Sequence, residues 1–251
     1  MKNILSLDGG GIRSYIPLKI LNEIEKRSCI PISELFDYFS GVSAGAVIIS
    51  WVLIKNDNGL QKYTTNEILD MFENLCAQIF PTSYSNKFKS GFGLFGSKYD
   101  SNNIAIMLDK YVGPIKLNDL IKPVTFITYD LLDNTPYYIN NCTSSELYVK
   151  DCILASTAAP TYFNPHSMNI NNKDYLFVDG GVVTNNPIQN CLLDAHEYYS
   201  NNKNFAKEYL QRRCVPLDYP FLYKTMPRPG VVIPFTYENQ VVGHTTRFFD
   251  N

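Results

Sequence analysis

The sequence has few charged residues and a small net charge. Asp, Glu, Lys and Arg make up 18% of the 251 residues, and the formal net charge is −2, whereas globular proteins usually contain about 25% charged residues. Without an excess of positive charge, the chain lacks the attraction that draws proteins to nucleic acid. We therefore expect no nucleic-acid partner. The 14% aromatic content also excludes an intrinsically disordered chain.

Cysteine is scarce, and its spacing excludes two kinds of site. The six cysteines include no Cys-x-x-Cys pair, so their spacing predicts no zinc site. Six thiols in a chain of this length are too few for a disulfide scaffold. We therefore expect reduced thiols, no metal and a cytoplasmic protein.

Long hydrophobic runs are also missing. The longest one covers residues 42–54, which is shorter than the roughly 18–20 residues that a membrane-spanning helix needs. The first residues show no apolar region typical of a signal peptide. We expect residues 42–54 to form a buried helix. Peripheral association with a membrane, and export without a recognisable signal peptide, stay open.

Short apolar strands alternate with helical patterns along the chain. This alternation predicts an α/β fold, and in particular a three-layer α/β/α arrangement around a central, mostly parallel sheet. The predicted strands cover residues 4–7, 36–40, 124–129, 137–139 and 176–178, and residues 230–233 suggest a further strand. The predicted helices begin after the glycines at 9–11, at residue 42, at 64 or 65, at 100 or 101, at 147 and at 187.

A candidate nucleophile lies in residues 41–45, Gly-Val-Ser-Ala-Gly, which fit the pattern G-x-S-x-G. A sharp turn of this kind between a strand and a helix exposes the serine Oγ at the positive end of the helix dipole. Because a strand is predicted before the pattern and a helix after it, we favour Ser43 as a nucleophile over a structural serine.

Three consecutive glycines precede the first helix. Their N–H groups form a site for an anion or for a developing negative charge. A dinucleotide-binding loop would need a third motif glycine where Ser14 stands and an acidic residue at the end of the next strand. We therefore favour an oxyanion hole that serves Ser43. The candidate donors are the backbone N–H groups of Gly10 and Gly11, with help from Gly9 or Ala44.

A serine nucleophile needs a base. Asp179 ends a predicted strand and precedes two glycines, so its carboxylate could reach Ser43 directly. The sequence also permits a Ser-His-Asp triad with His196 or His244, in the chain order of α/β-hydrolases. A third interpretation makes Asp179 a turn or cap residue, because Asp-Gly-Gly is favourable turn chemistry.

Together, these motifs resemble those of the patatin-like phospholipases. The resemblance rests on Asp-Gly-Gly-Gly-Ile-Arg at 8–13, the serine motif at 41–45, residues 155–163 and the Asp-Gly-Gly to Asn-Asn-Pro block at 179–187. It implies a catalytic domain over residues 1–195 and a divergent or truncated part, 196–251, packed on the same domain. Two departures from the family pattern are Ser14, where the family has glycine, and the lack of its usual later strand after about residue 200.

The resemblance also implies an activity. Ser43 and Asp179 would form a dyad that cleaves fatty-acyl esters, as phospholipase A and lysophospholipase enzymes do, without calcium or another cofactor. The substrate would be a phospholipid or another fatty-acyl lipid. Arg13 would add positive potential near the oxyanion hole or bind lipid phosphate. The remaining alternatives are a Ser-His-Asp esterase and a non-catalytic module that binds nucleotide or lipid.

A lipid substrate implies contact with a membrane surface. Residues 80–99 interleave aromatic side chains with lysines, a composition that suits a reversible, peripheral membrane contact. Closure of the hydrophobic core by the same aromatics is an equally good interpretation. The sequence does not specify an oligomeric state.

Overall fold

The computed structural model describes residues 3–79, 101–199, 230–237 and 240–248, which fall into two units that divide between Cys191 and Leu192. The predicted membrane-contact segment, 80–99, lies outside the described residues. In the described part of the chain, no helix is both long and apolar enough to cross a bilayer. The division at residue 195 and the packing of the C-terminal part stay predictions.

The first unit contains six strands. They are β1 (Ile4–Leu7), β2 (Tyr38–Val42), β3 (Val124–Asp130), β4 (Thr135–Asn140), β5 (His166–Ile170) and β6 (Lys173–Asp179). The helices are α1 (Tyr15–Ser28), α2 (Ile32–Leu35), α3 (Ala44–Leu53), α4 (Thr65–Ile79), α5 (Ser101–Tyr111), α6 (Val149–Thr157) and α7 (Ile188–Tyr198), the last of which crosses the division between the units. Short 3₁₀ helices cover Gly11–Ser14, Leu117–Asp119 and Gly180–Val182.

The strands form one mixed sheet, in the order β1-β2-β3-β6-β5, with β4 on the other edge of β3. β1, β2 and β3 are parallel to one another, whereas β4 and β6 run antiparallel to β3, and β5 runs antiparallel to β6. Four of the six strands therefore point the same way. The prediction of a mostly parallel α/β sheet flanked by helices is confirmed.

Two strands meet end to end along one edge of β3. The other edge is occupied by β4, which pairs with residues 125–130. On the edge opposite β4, β2 pairs with residues 124–127 of β3 and ends with Val42 opposite Ile127. On the same edge, β6 ends with Asp179 opposite Thr128. The ends of β2 and β6 are therefore neighbours, which brings Ser43 next to Asp179.

α3 is the central helix of the core. All ten of its residues are buried, including Trp51. Gly45 lets this helix lie directly against β1, because a Cβ atom at this position would stand 2.5 Å from the Leu7 carbonyl oxygen. The prediction of a buried helix over residues 42–54 is therefore correct, with the helix itself beginning at Ala44.

The sequence patterns predicted no strand at residues 166–170, where β5 begins with His166. The strand escapes the apolar pattern because its residues alternate between half-buried and exposed positions and include Ser167 and Asn169.

Two antiparallel strands lie in the second unit, β7 (Gly230–Tyr237) and β8 (Gln240–Phe248). The sequence suggested a strand at 230–233, whereas β8 was not predicted.

Candidate active site

Ser43 occupies a strained turn between β2 and α3. Its φ of 55° lies in the left-handed region, which side chains other than glycine rarely adopt. The Ser43 N–H donates to Ser156 Oγ at 3.0 Å, and the Ser156 hydroxyl donates to the Ile127 carbonyl oxygen at 2.7 Å. Ser156 therefore anchors the backbone of the Ser43 turn to β3.

Asp179 is the last residue of β6 and is 5% exposed. Burial raises the pKa of its carboxyl group above the ordinary value, and hydrogen bonds from the Ser43 side chain and the Gly181 N–H oppose this rise. The Gly181 N–H donates to Asp179 Oδ1 at 2.7 Å, and the Asp179 N–H donates to the Ala158 carbonyl oxygen at 3.0 Å. Asp179 is thus fixed through both its backbone and its side chain, and its carboxylate faces the Ser43 hydroxyl.

The glycine loop lies beside this pair. A Cβ atom on Gly9 would stand 3.1 Å from Ser43 Cβ and 2.5 Å from Asn185 Oδ1. The Gly9 N–H donates to the Asn185 carbonyl oxygen at 3.2 Å, and Asn185 Nδ2 donates to the Gly9 carbonyl oxygen at 3.0 Å. Gly9 therefore links the glycine loop to the segment after Asp179, and its N–H group is engaged there.

The other predicted donors lie at helix N-termini. Gly10 precedes the 3₁₀ helix that begins at Gly11, and Ala44 is the first residue of α3. Among the described residues, none of these three N–H groups has a hydrogen-bond acceptor. Such orphan N–H groups are available to a developing negative charge. Arg13 lies in the same 3₁₀ helix with its side chain exposed.

His166, the histidine of the first unit, lies next to a carboxylate other than Asp179. His166 Nε2 lies 3.6 Å from Asp151 Oδ1. His196 belongs to α7, and His244 belongs to β8 in the second unit. The side-chain hydrogen bonds of Asp179 come from Ser43 and Gly181.

Comparison with known proteins gives the family. The profile of the patatin-like phospholipases matches residues 5–192, which include the glycine loop, Ser43 and Asp179. The chain belongs to the patatin-like phospholipase family. Members of this family are lipid acyl hydrolases.

Curated patatins resemble the chain over the same region. Patatin-like protein 2 from Arabidopsis thaliana is 30% identical over 203 residues, which are 73% of this chain and 50% of the relative. Patatin-08 from Solanum tuberosum is 31% identical over 201 residues, with the same shares of both chains. The patatin-like chain therefore spans about half the length of these relatives. Among solved structures, VipD from Legionella pneumophila gives a TM-score of 0.42 at 15% identity, covering 72% of this chain and 46% of VipD.

A cavity of about 220 Å³ lies next to the C-terminal end of α6 in this patatin-like unit. Its walls come from α5, α6 and the segment that leads to β5. They combine the apolar residues Ile104, Ala105, Leu154, Ala158, Phe163 and Pro165 with the polar residues Thr157, Asn164 and His166. Ala158 is also the residue whose carbonyl oxygen accepts the Asp179 N–H. Ala158 therefore contacts both the cavity and the candidate base.

Sequence reasoning did not identify Ser156 as a site residue. It belongs to the small-residue segment that carried part of the family resemblance, but no motif marks its hydroxyl. The available signal was its place on a predicted helix among small and apolar residues, because a buried hydroxyl needs a partner.

Proposed function

We propose that this patatin-like chain hydrolyses the fatty-acyl esters of phospholipids or related lipids through a Ser43–Asp179 dyad, without calcium or another cofactor. The observation that supports the proposal most directly is the placement of the Ser43 side chain against the buried Asp179 carboxylate, whose pKa it lowers while burial raises it. A nucleophile and a base within hydrogen-bond reach of each other are the requirement for serine catalysis.

In the first step, Asp179 accepts the proton of the Ser43 hydroxyl while Oγ attacks the ester carbonyl carbon. Burial raises the pKa of Asp179, which makes its carboxylate a stronger base than an exposed one. The ester carbonyl oxygen becomes an oxyanion, and the proposed donors to it are the N–H groups of Gly10, Gly11 and Ala44. One donor of this kind is typically worth about 10²–10³ in rate.

In the second step, the oxyanion collapses and the alcohol leaves with the proton held by Asp179, so that Ser43 carries the acyl group. Water then attacks the acyl-enzyme while Asp179 accepts its proton, and the fatty acid leaves as Ser43 regains a proton. Arg13 is proposed to bind a lipid phosphate or to raise the potential near the oxyanion. Gly9 and Asn185 are proposed to hold the two catalytic loops together.

Covalent labelling and lipid hydrolysis test this proposal together. A fluorophosphonate probe should label the wild-type protein and not Ser43→Ala. Ser50→Ala is the matched control, because Ser50 lies in α3 with its hydroxyl bonded to the Val47 carbonyl oxygen, and it should still be labelled. Wild type should release fatty acid from a panel of phospholipids, lysophospholipids and neutral lipids, whereas Ser43→Ala should not.

The alternatives predict other results. A non-catalytic module that binds lipid or nucleotide would show no labelling of Ser43 and no release of fatty acid by any variant. A Ser-His-Asp esterase would be labelled at Ser43, and it would lose activity when one histidine is replaced.

A further inference from the structure

Four branched aliphatic side chains are exposed on the two segments that carry the candidate site. Ile12 and Ile16 are 60% and 63% exposed, and Val182 and Val183 are 51% and 42% exposed. We call these four residues the aliphatic rim. Single exposed apolar residues are ordinary on protein surfaces, whereas several close together mark an interaction surface.

The rim lies close to the dyad. Ile12 is three residues beyond Gly9, whose Cβ position is 3.1 Å from Ser43 Cβ. Val182 and Val183 are three and four residues beyond Asp179, and the hydrogen bonds between Gly9 and Asn185 join the two segments. Since consecutive Cα atoms are about 3.8 Å apart, the backbones of these three rim residues lie within about 15 Å of Gly9 or Asp179. Ile16 follows Ile12 at the four-residue spacing that shares a helix face.

Cationic side chains accompany the rim. Arg13 is exposed next to Ile12, and Lys19 is exposed one turn after Ile16. Aliphatic side chains with neighbouring Arg and Lys are the composition of protein surfaces that enter the boundary between acyl chains and phosphate headgroups. The rim thus matches a phospholipid layer in both apolar and charged character.

The occupant must also be compatible with turnover. A folded protein seated on the rim would cover the approach to Ser43, whereas a lipid layer would supply substrate there. We infer that the aliphatic rim docks the chain onto the surface of a phospholipid layer, with Arg13 and Lys19 beside the phosphates. The inference rests on the proposed function for the direction in which substrate arrives.

Vesicle binding tests the rim without hydrolysis. The Ser43→Ala protein is sedimented with vesicles of mixed phosphatidylcholine and phosphatidylglycerol, and the same protein with Ile12→Ser and Val183→Ser is compared with it. We expect binding to weaken at least about tenfold, since the variant no longer buries these two aliphatic side chains among the acyl chains. Leu60→Ser is the matched control, because Leu60 is 58% exposed and follows the far end of α3, a ten-residue helix about 15 Å long that begins next to Ser43. It should bind like the parent.

Three results would overturn the inference. They are a Ser43→Ala parent that does not bind the vesicles, a rim variant that binds like the parent, and an equal loss for Leu60→Ser. A rim variant that changes oligomeric state in size-exclusion chromatography and keeps vesicle binding would instead identify the rim as an interface between copies of the chain.

The proposed function is judged by a separate measurement. In proteins that retain Ser43, the rim variant should lose far more activity on vesicles than on a water-soluble short-chain ester. If the wild type cleaves neither substrate but the rim variant still loses vesicle binding, the hydrolase proposal fails and the docking surface stands. If the wild type cleaves both and the rim variant cleaves both equally well, the docking surface fails and the hydrolase proposal stands.

Discussion

At the scale of single residues, two features that lower the stability of the folded protein lie together at the candidate site. Ser43 is held at a positive φ, a backbone state that costs about 1–3 kcal/mol and persists only when its surroundings fix it. Asp179 is a carboxylate with 5% exposure, and burial of a charge is unfavourable unless hydrogen bonds compensate. Strained backbone and a perturbed carboxyl group in contact with each other are typical of a catalytic pair.

The identity of the base gives the sharpest prediction at this scale. Asp179→Asn should abolish ester hydrolysis, because an amide oxygen does not accept the Ser43 proton. The triple replacement of His166, His196 and His244 by Gln should leave kcat/KM within about tenfold of wild type, roughly 1.4 kcal/mol of barrier. The measurement is kcat/KM on a fatty-acyl ester for each folded variant.

A triad would give the opposite pattern. Loss of its histidine should cost about 10⁴ or more in rate. One folded single-histidine variant with background activity would therefore refute the dyad. Asp151→Asn, which removes the carboxylate near His166, serves as a control and should stay active.

At the scale of elements, the site depends on how strands end. β2 and β6 share one edge of β3, and their ends meet opposite Ile127 and Thr128. Ser156 on α6 connects this junction to the Ser43 turn through its hydroxyl. Together, α6, the parallel strand β2 and the antiparallel strand β6 therefore fix the Ser43 side chain relative to the Asp179 side chain.

Ser156→Ala tests this connection. The variant should fold and should lose about tenfold or more in kcat with little change in KM, because the Ser43 N–H and the Ile127 carbonyl oxygen lose their shared partner. Thr157→Val is the matched control, since the Thr157 hydroxyl donates to the Ile153 carbonyl oxygen within its own helix. Ser156→Ala removes its hydrogen bonds to Ser43 and Ile127, and Thr157→Val removes those to Ile153 and Leu154. A typical hydrogen bond is worth about 0.5–1.5 kcal/mol, so similar losses of stability with similar kcat values would contradict a positioning role for Ser156.

The glycine loop gives a second prediction at this scale. Gly11 has a φ of 53° and open space around its Cβ position, so Gly11→Ala acts through the backbone rather than through a clash. It should turn the proposed donor N–H away and lower kcat by about 10²–10³. Gly59→Ala is matched in strain, because Gly59 has a φ of 78° and equally open surroundings in a turn beyond α3. Both variants should lose similar stability, and a kcat for Gly11→Ala as high as that for Gly59→Ala would exclude the loop as the oxyanion hole.

The sequence predicted the elements better than their connections. Ser43 and Asp179 belong to motifs that predict their local structure. Ser43 lies in a turn before a helix, and Asp179 lies before a turn at the end of a strand. The partners of Ser156 are 113 and 29 residues away, and no local pattern encodes such a contact. The alignment of Asp179 with Thr128 depends on strand register, which only the folded sheet defines. Gly9 looked like a donor because it belongs to a glycine run, whereas its bond to Asn185 becomes visible once the two loops meet.

At the scale of the whole unit, the cavity between α5, α6 and the segment before β5 includes Ala158, whose carbonyl oxygen accepts the Asp179 N–H. Whether this cavity holds the acyl chain can be tested. Ala105 is half-buried in the cavity wall, so Ala105→Phe should fill part of the space. We expect kcat/KM to fall about tenfold more for long-chain than for short-chain esters. Ile106→Phe is the control, because Ile106 is 63% exposed on the same helix. Equal effects of the two variants at all chain lengths would exclude the cavity as the acyl site.

The stability of the whole unit should depend on pH through Asp179. Its pKa in the folded protein is raised above the ordinary value of 3.8, so the folded state binds this proton more tightly than the unfolded state does. The contribution of Asp179 to stability is therefore most favourable below pH 3.8 and is lost as the pH rises through the raised pKa.

Asp179→Asn removes a buried charge at neutral pH and should raise Tm there, and this gain should shrink as the pH is lowered towards 3.8. Thermal unfolding of both proteins at stepwise decreasing pH measures the difference. Asp174→Asn is the control, because Asp174 is an exposed carboxylate on the same strand, and its Tm difference at neutral pH should be small. A lower Tm for Asp179→Asn at neutral pH, or a gain that stays constant with pH, would show that burial does not destabilise this carboxylate.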